Sequence, residues 1–223
     1  MSRLYMGASA EPGKPLCMIS ELYKGGSLSE FLEKKAESKI STDQALDIAI
    51  GISRGMLYLH THKPQIMHRD LKNQNVLVRD ESNLQNVVIV DFGLSCFTKP
   101  VKKVEPEDSD SSMDGCAMMT TPQGTITTMA PEIMEGAEYS SAADVYSFGI
   151  MMWEIFTCRQ VYEGLNPVTI MFKVMAEDER PDFRQTDNVP PAIRNLIEKC
   201  WHKEPHRRPN FCEIIDALDE LKA

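Results

Sequence analysis

The stretch SAADVYSFGIMMWEIFT, residues 141 to 157, constrains the fold more than any other. Val145, Tyr146, Phe148, Ile150, Met151, Met152, Trp153, Ile155 and Phe156 leave almost no polar face, so a helix here is buried and central. The rest of the chain has to cover it. Three later helices are predicted to open at prolines that a first turn tolerates, at Asn166-Pro167, at Pro190-Pro191 and near Pro209. Two earlier ones open on capping boxes. Ser27-x-x-Glu30 starts a short helix through Lys35, and Ser41-x-x-Gln44 starts a longer one with Leu46, Ala49, Ile50, Ser53, Met56, Leu57 and His60 at helical spacing.

Strand signals are few. Residues 3–6 and 16–21 read as short strands on either side of a turn at 11–14, and Gly25-Gly26 breaks the chain after them. Two more apolar runs, 75–78 and 87–90, are separated by polar residues, and from 98 to 123 the pattern dissolves into a Pro, Ser and acid-rich loop. The expected fold class is α+β, mostly α-helical, with a small β remnant at the N-terminus.

At 223 residues the chain suits a single domain. A net charge of −9 argues against a general nucleic-acid binder, which needs a basic footprint. No apolar run has the length of a membrane span, and no signal-peptide pattern follows Met1. The six cysteines form no C-x-x-C pair, so reduced thiols in a cytoplasmic protein are expected rather than a metal knuckle or a disulfide framework. The five histidines have no ligand spacing with them, and His60, His62, His202 and His206 read as ordinary.

Chemistry concentrates in one place. Asp70-Leu71-Lys72-x-x-Asn75 is followed by Asp91-Phe92-Gly93. Phosphoryl transfer needs a carboxylate to orient the attacking hydroxyl, a cation for the moving charge, and hard oxygen ligands for magnesium. Asp70, Lys72, and the pair Asn75 and Asp91 match those needs in turn. Carried at the ends of two short strands, they can converge on one cleft.

With these motifs the sequence resembles the protein kinase family, and the resemblance runs along essentially the whole chain. Met129-Ala130-Pro131-Glu132 is similar to the family's A-P-E segment, and Thr125 sits where a Ser/Thr kinase places its loop threonine. Asp144-Val145-Tyr146-Ser147-Phe148-Gly149 resembles the buried helix whose aspartate braces the catalytic loop. Lys199-Cys200-Trp201, Pro205 and Arg208-Pro209 resemble the closing subdomain, whose arginine pairs with the A-P-E glutamate, here Glu132. Lys72 is the Ser/Thr-type residue, whereas Tyr146-Ser147-Phe148-Gly149 and Cys200-Trp201 look tyrosine-kinase-like. Together they point to the tyrosine-kinase-like group of Ser/Thr kinases, with dual specificity left open.

The resemblance implies ATP and Mg2+ as cofactors and a protein substrate. Asp70, Lys72, Asn75 and Thr125 are its expected catalytic residues. Glu21 and Tyr23 at the hinge, Leu77 as adenine floor, Lys72, Asn75 and Asp91 are its expected nucleotide site, with Asn75 and Asp91 on the metal. Ser20 would be the gatekeeper, and His68 would pack beneath Phe92. Residues 1–23 would be the remnant of the smaller lobe and 24–223 the larger lobe, with an activation segment at 91–132. Ser109, Ser111, Ser112, Thr120 and Thr121 are candidate phosphosites for an upstream kinase, any phosphate pairing with Arg69.

The glycine-rich loop, the strand lysine and the helix glutamate of the family are absent from these 223 residues. A truncated domain is therefore expected, with Leu16, Met18, Ile19 and Leu22 deprived of cover and with little catalysis by this chain alone. The alternative function is a non-catalytic docking or regulatory module.

Overall fold

The computed structural model describes residues 5–11, 13–97 and 124–223. Helix α4 (Ser141–Thr157) runs through the middle, and from Ala143 to its end every residue except Glu154 is buried. Helix α2 (Thr42–Thr61) and helix α6 (Pro191–Cys200) pack on it, and α7 (Phe211–Lys222) closes over both of these. The short α3 (Pro131–Met134) meets α5 (Pro167–Ala176), and α1 (Leu28–Lys34) lies across the turn at Asn73–Asn75. Gly149 shows how tightly the centre is packed. A side chain there would meet Cβ of Cys200 at 2.9 Å and the backbone nitrogen of Trp201 at 3.0 Å, so α4 and α6 cross with only hydrogen between them.

The strands form three antiparallel pairs among the described residues. β1 (Tyr5–Ser9) pairs with β2 (Cys17–Ser20), β3 (Ile66–Met67) with β6 (Cys96–Phe97), and β4 (Val76–Val78) with β5 (Val87–Ile89). The architecture is mostly helical with a small sheet remnant, as the pattern predicts. The last two pairs matter most, because they fix the ends of the segments that carry Asp70, Asn75 and Asp91.

Both predicted capping boxes form. Ser41 Oγ accepts from the Gln44 amide at 3.2 Å, and Gln44 Oε1 accepts from the Ser41 amide at 3.0 Å. The Ser27–Glu30 box closes in the same way. Some boundaries differ from the reading. The last helix starts at Phe211 rather than near Pro209, because Asn210 Oδ1 caps the amides of Cys212 and Glu213 at 2.9 and 3.1 Å. β1 reaches Ser9, past the expected end at 6, held there by pairing with Cys17 rather than by any strand preference of Gly7-Ala8-Ser9.

The thiol expectation needs correction at one position. Cys96 is disulfide-bonded, while Cys17, Cys158, Cys200 and Cys212 are free. The candidate phosphosites Ser109, Ser111, Ser112, Thr120 and Thr121 also lie outside the described residues. Among the described residues no helix is long and apolar enough to cross a membrane. Leu16, Ile19 and Leu22 are 76, 52 and 82 % exposed, and the Met18 side chain lies outside the described residues.

Candidate active site

Asp144, in the first turn of α4, holds the segment that leads into the site. Its Oδ2 accepts from the His68 amide and from His60 Nε2, both at 2.9 Å. Its Oδ1 accepts from the Arg69 amide at 3.0 Å and from the Tyr139 hydroxyl at 2.9 Å. Burial pushes this carboxyl up, but the histidine and the two amides outweigh it and hold its pKa below the ordinary value. Arg69 is fixed at φ 70°, a left-handed conformation that a non-glycine residue adopts at a cost of about 1–2 kcal/mol. The bonds to Asp144 offset that strain and turn Asp70 into the cleft. His68 is fully buried, its ring centroid 5.3 Å from that of Phe92 and its Nε2 3.1 Å from the Val90 carbonyl oxygen. It is a packed residue, as expected.

Asp70 is the hub of the site. Its Oδ1 accepts from the Thr125 hydroxyl at 2.8 Å and from the Thr125 amide at 3.0 Å. Its Oδ2 lies 2.7 Å from Lys72 Nζ and accepts from Asn75 Nδ2 at 3.0 Å. Lys72 Nζ also donates to Thr125 Oγ1 at 2.6 Å, closing a triangle of carboxylate, ammonium and hydroxyl. Burial raises the Asp70 pKa, but the bonds from Lys72 and Thr125 prevail, so the carboxyl is held below its ordinary value and ionised at neutral pH. An ionised carboxylate so placed can orient a hydroxyl and receive its proton, while the adjacent ammonium meets negative charge that develops nearby.

The remaining expected residues are arranged around this hub. Asn75 is buried and spends both Nδ2 hydrogens on Asp70, on its side chain and on its carbonyl oxygen at 2.9 Å, which leaves Oδ1 as the atom available to a cation. The Val90 amide donates to the Asn75 carbonyl at 2.9 Å, so Asp91 follows directly beside Asn75. Asp91 is exposed, sits at φ 64°, and among the described residues accepts only from the Gly93 amide, at 3.3 Å. Two hard oxygen donors with room for others fit magnesium, which keeps several ligands from water and phosphate. Leu77 lies half-buried on β4 opposite Val88. Glu21 and Tyr23 are engaged with each other through a 2.9 Å bond and with Arg79, which pairs with Glu21 at 2.9 Å and covers the Tyr23 ring. Their backbone, rather than their side chains, is what they offer a ligand.

Three contributors escaped the sequence reading. His60, read as ordinary, and Tyr139 both brace Asp144; no local pattern points across the 84 residues from His60 to Asp144. Ser147 Oγ donates at 2.8 Å to the Thr128 carbonyl and ties the segment after Thr125 to α4. The Arg208–Glu132 pair, by contrast, forms as expected, with two bonds of 2.7 and 2.8 Å.

Residues 4–218 match the family model of the protein tyrosine and serine/threonine kinases. The chain is 35% identical over 204 residues to the serine/threonine/tyrosine-protein kinase HT1 of Arabidopsis thaliana, covering 92% of this chain and 47% of that protein. It is 37% identical over 207 residues to the serine/threonine-protein kinase STY17 of the same plant, covering 92% and 32%. With the serine/threonine-protein kinase CTR1, also from Arabidopsis thaliana, it shares 34% over 219 residues, covering 98% and 24%. The chain thus spans less than half the length of these curated relatives. With a family model matched along nearly its whole length and the Asp70 hub built on the matched motifs, the chain belongs to the protein kinase family, in its tyrosine-kinase-like group.

Proposed function

We propose that this chain is the catalytic body of a protein Ser/Thr kinase, which transfers the γ-phosphate of ATP to hydroxyls of a protein substrate. The observation that carries the reading is the convergence of Lys72, Asn75 and Thr125 on the Asp70 carboxylate. In this reading Asp70 orients the substrate hydroxyl and takes its proton. Lys72 stabilises charge on the transferred phosphoryl, and Thr125 keeps Asp70 and Lys72 in register. Asn75 and Asp91 would hold magnesium, which would supply positive charge against the phosphate oxygens. Leu77 floors the adenine, and the backbone of Glu21 to Tyr23 reads its edge. Residues 1–23 belong to the smaller lobe and 24–223 to the larger. A phosphate placed by an upstream kinase on the segment between Asp91 and Glu132 would regulate the site, and the setting is cytoplasmic.

A docking or regulatory module is the second reading. One experiment separates the two. The full-length protein that contains these residues is incubated with magnesium and γ-labelled ATP and a generic Ser/Thr protein substrate, beside its Asp70→Asn variant. The kinase reading expects transfer that falls by about 10²–10⁴ in the variant, the usual contribution of a general base. Equal transfer by both proteins removes Asp70 from the mechanism. No transfer by the unsubstituted full-length protein favours the docking module.

A further inference from the structure

Beneath the Asp70 hub, a second polar contact reaches the same loop from the opposite side. Asn73, which opens the turn at Asn73–Asn75, is 2 % exposed, and its Nδ2 donates at 2.7 Å to Oε2 of Glu154 near the end of α4. Oε1 of Glu154 accepts from the Val161 amide at 2.9 Å. One carboxyl therefore joins the loop that carries Lys72 and Asn75 to the chain that leaves α4. Neither Lys72 nor Asn75 touches Glu154, so any influence on them runs through Asn73.

The contact is not a by-product of good packing. Asn73 Oδ1 is buried without a partner, and an apolar residue of similar size would avoid that loss. Glu154 is also a costly residue to place here, since burial drives its pKa up to about 7 against the bonds from Val161 and Asn73. Both residues line a cavity of about 770 Å³ between α1, the loop and the residues that follow α4, so packing around them is open rather than forced. What the arrangement secures is the place of the turn. The Asn75 amide donates to the Lys72 carbonyl at 2.9 Å, and the Val90 amide to the Asn75 carbonyl at 2.9 Å, so a shift at Asn73 passes directly to Lys72, Asn75 and the approach to Asp91.

We propose that Asn73 and Glu154 are positioning residues, a clasp that holds the 72–75 turn so that Lys72 and Asn75 face Asp70. The clasp works in either protonation state, because a carboxylate and a neutral carboxyl both offer Asn73 an acceptor. As an account of catalysis it rests on the kinase reading; as an account of loop position it does not.

The test exchanges the partners. Asn73→Asp sets a carboxylate against Glu154, and the double variant Asn73→Asp with Glu154→Gln restores a bond of reversed polarity, with the glutamine oxygen still facing Val161. Amide hydrogen exchange at Asn75 and Val90 is measured at pH 8 without nucleotide, with Ile214 in α7 as the control. The clasp predicts exchange faster by about tenfold or more at Asn75 and Val90 in the single variant, an unchanged Ile214, and recovery to within about twofold in the double variant. Unchanged exchange in the single variant, or no recovery in the double, overturns it. Should the single variant not fold, Asn73→Ala removes the donor without adding charge and must show the same local loss; protection equal to the parent's overturns the clasp.

Phosphotransfer adds the catalytic readout. Asn73→Asp should lower kcat about tenfold with the KM for ATP changed less than about twofold, and the double variant should restore kcat. A raised KM with kcat intact contradicts a positioning role. Transfer is measured on the full-length protein that contains these residues. Exchange and transfer fail separately: a full-length parent without transfer but with the exchange pattern sinks the kinase reading alone, and transfer without that pattern sinks the clasp alone.

Discussion

Four donors converge on the carboxylate of Asp144, and two of them are the amides that set the backbone entering Asp70. Asp144→Asn keeps the shape but turns an NH2 toward donors on one side. The expected loss is about 3 kcal/mol, typical of a broken buried network, read from the urea midpoint of unfolding. Glu154 makes a prediction of opposite sign. Its folded pKa of about 7 exceeds the ordinary 4.5, so the folded state holds the proton more tightly than the unfolded one. Stability then falls as pH rises from 4.5 through 7, by on the order of 3 kcal/mol, and stays low above that. Asp70 and Asp144, with lowered pKa values, act the other way and lose their contribution as pH falls below the ordinary 3.8. Urea unfolding at pH 5 and pH 8 should show the decline in the parent and a smaller one in Glu154→Gln; equal declines contradict it. At this scale the sequence was legible where chemistry clusters locally. Asp70, Lys72 and Asn75 lie within six residues, so their types alone limit what they do. His60 and Asp144, or Asn73 and Glu154, meet across more than 80 residues, and nothing local marks them as partners.

Elements were legible where a short signal states its own geometry. Ser27-x-x-Glu30 and Ser41-x-x-Gln44 declare helix starts in four residues, and the apolar band of 141–157 declares a buried helix without reference to its neighbours. The β3–β6 pair was not legible, since strands of two residues carry no period. The crossing of α4 and α6 was also hidden, because Gly149 inside an apolar helix reads as a weak helix former rather than a contact point. Its real role gives a sharp test. Gly149→Ala improves helix propensity by about 1 kcal/mol in isolation, yet the added methyl meets Cys200 and the Trp201 backbone. Net destabilisation of about 1–3 kcal/mol is expected from overpacking, measured by thermal unfolding; a rise in Tm would mean the helices can separate freely.

Over the whole molecule, one centre gathers segments that are far apart in sequence. The 68–75 loop, Thr125 and Asp91 come from three stretches, positioned by α4 from below and by the β4–β5 pair from the side. The fold class could be read from the order of apolar segments, because a central buried helix forces a helical body around it. The exposed Leu16, Ile19 and Leu22 follow from the same logic, since the short β1–β2 pair supplies no second layer over them. Register at Asp70 was out of reach, because it depends on a carboxylate shared between Lys72, Asn75 and Thr125, whose separation in the chain fixes no distance. The central claim is that this register builds a phosphoryl-transfer centre with metal ligands at Asn75 and Asp91. The most direct measurement is nuclear magnetic resonance of the chain titrated with ATP and Mn2+ in place of Mg2+. The account predicts paramagnetic broadening centred on the Asn75 side-chain amide and the Asp91 backbone amide, and loss of the broadening at the neighbouring Val76 and Phe92 backbone amides in the Asn75→Ala and Asp91→Ala double variant. Broadening that spares these two residues, or that persists in the variant, would contradict it.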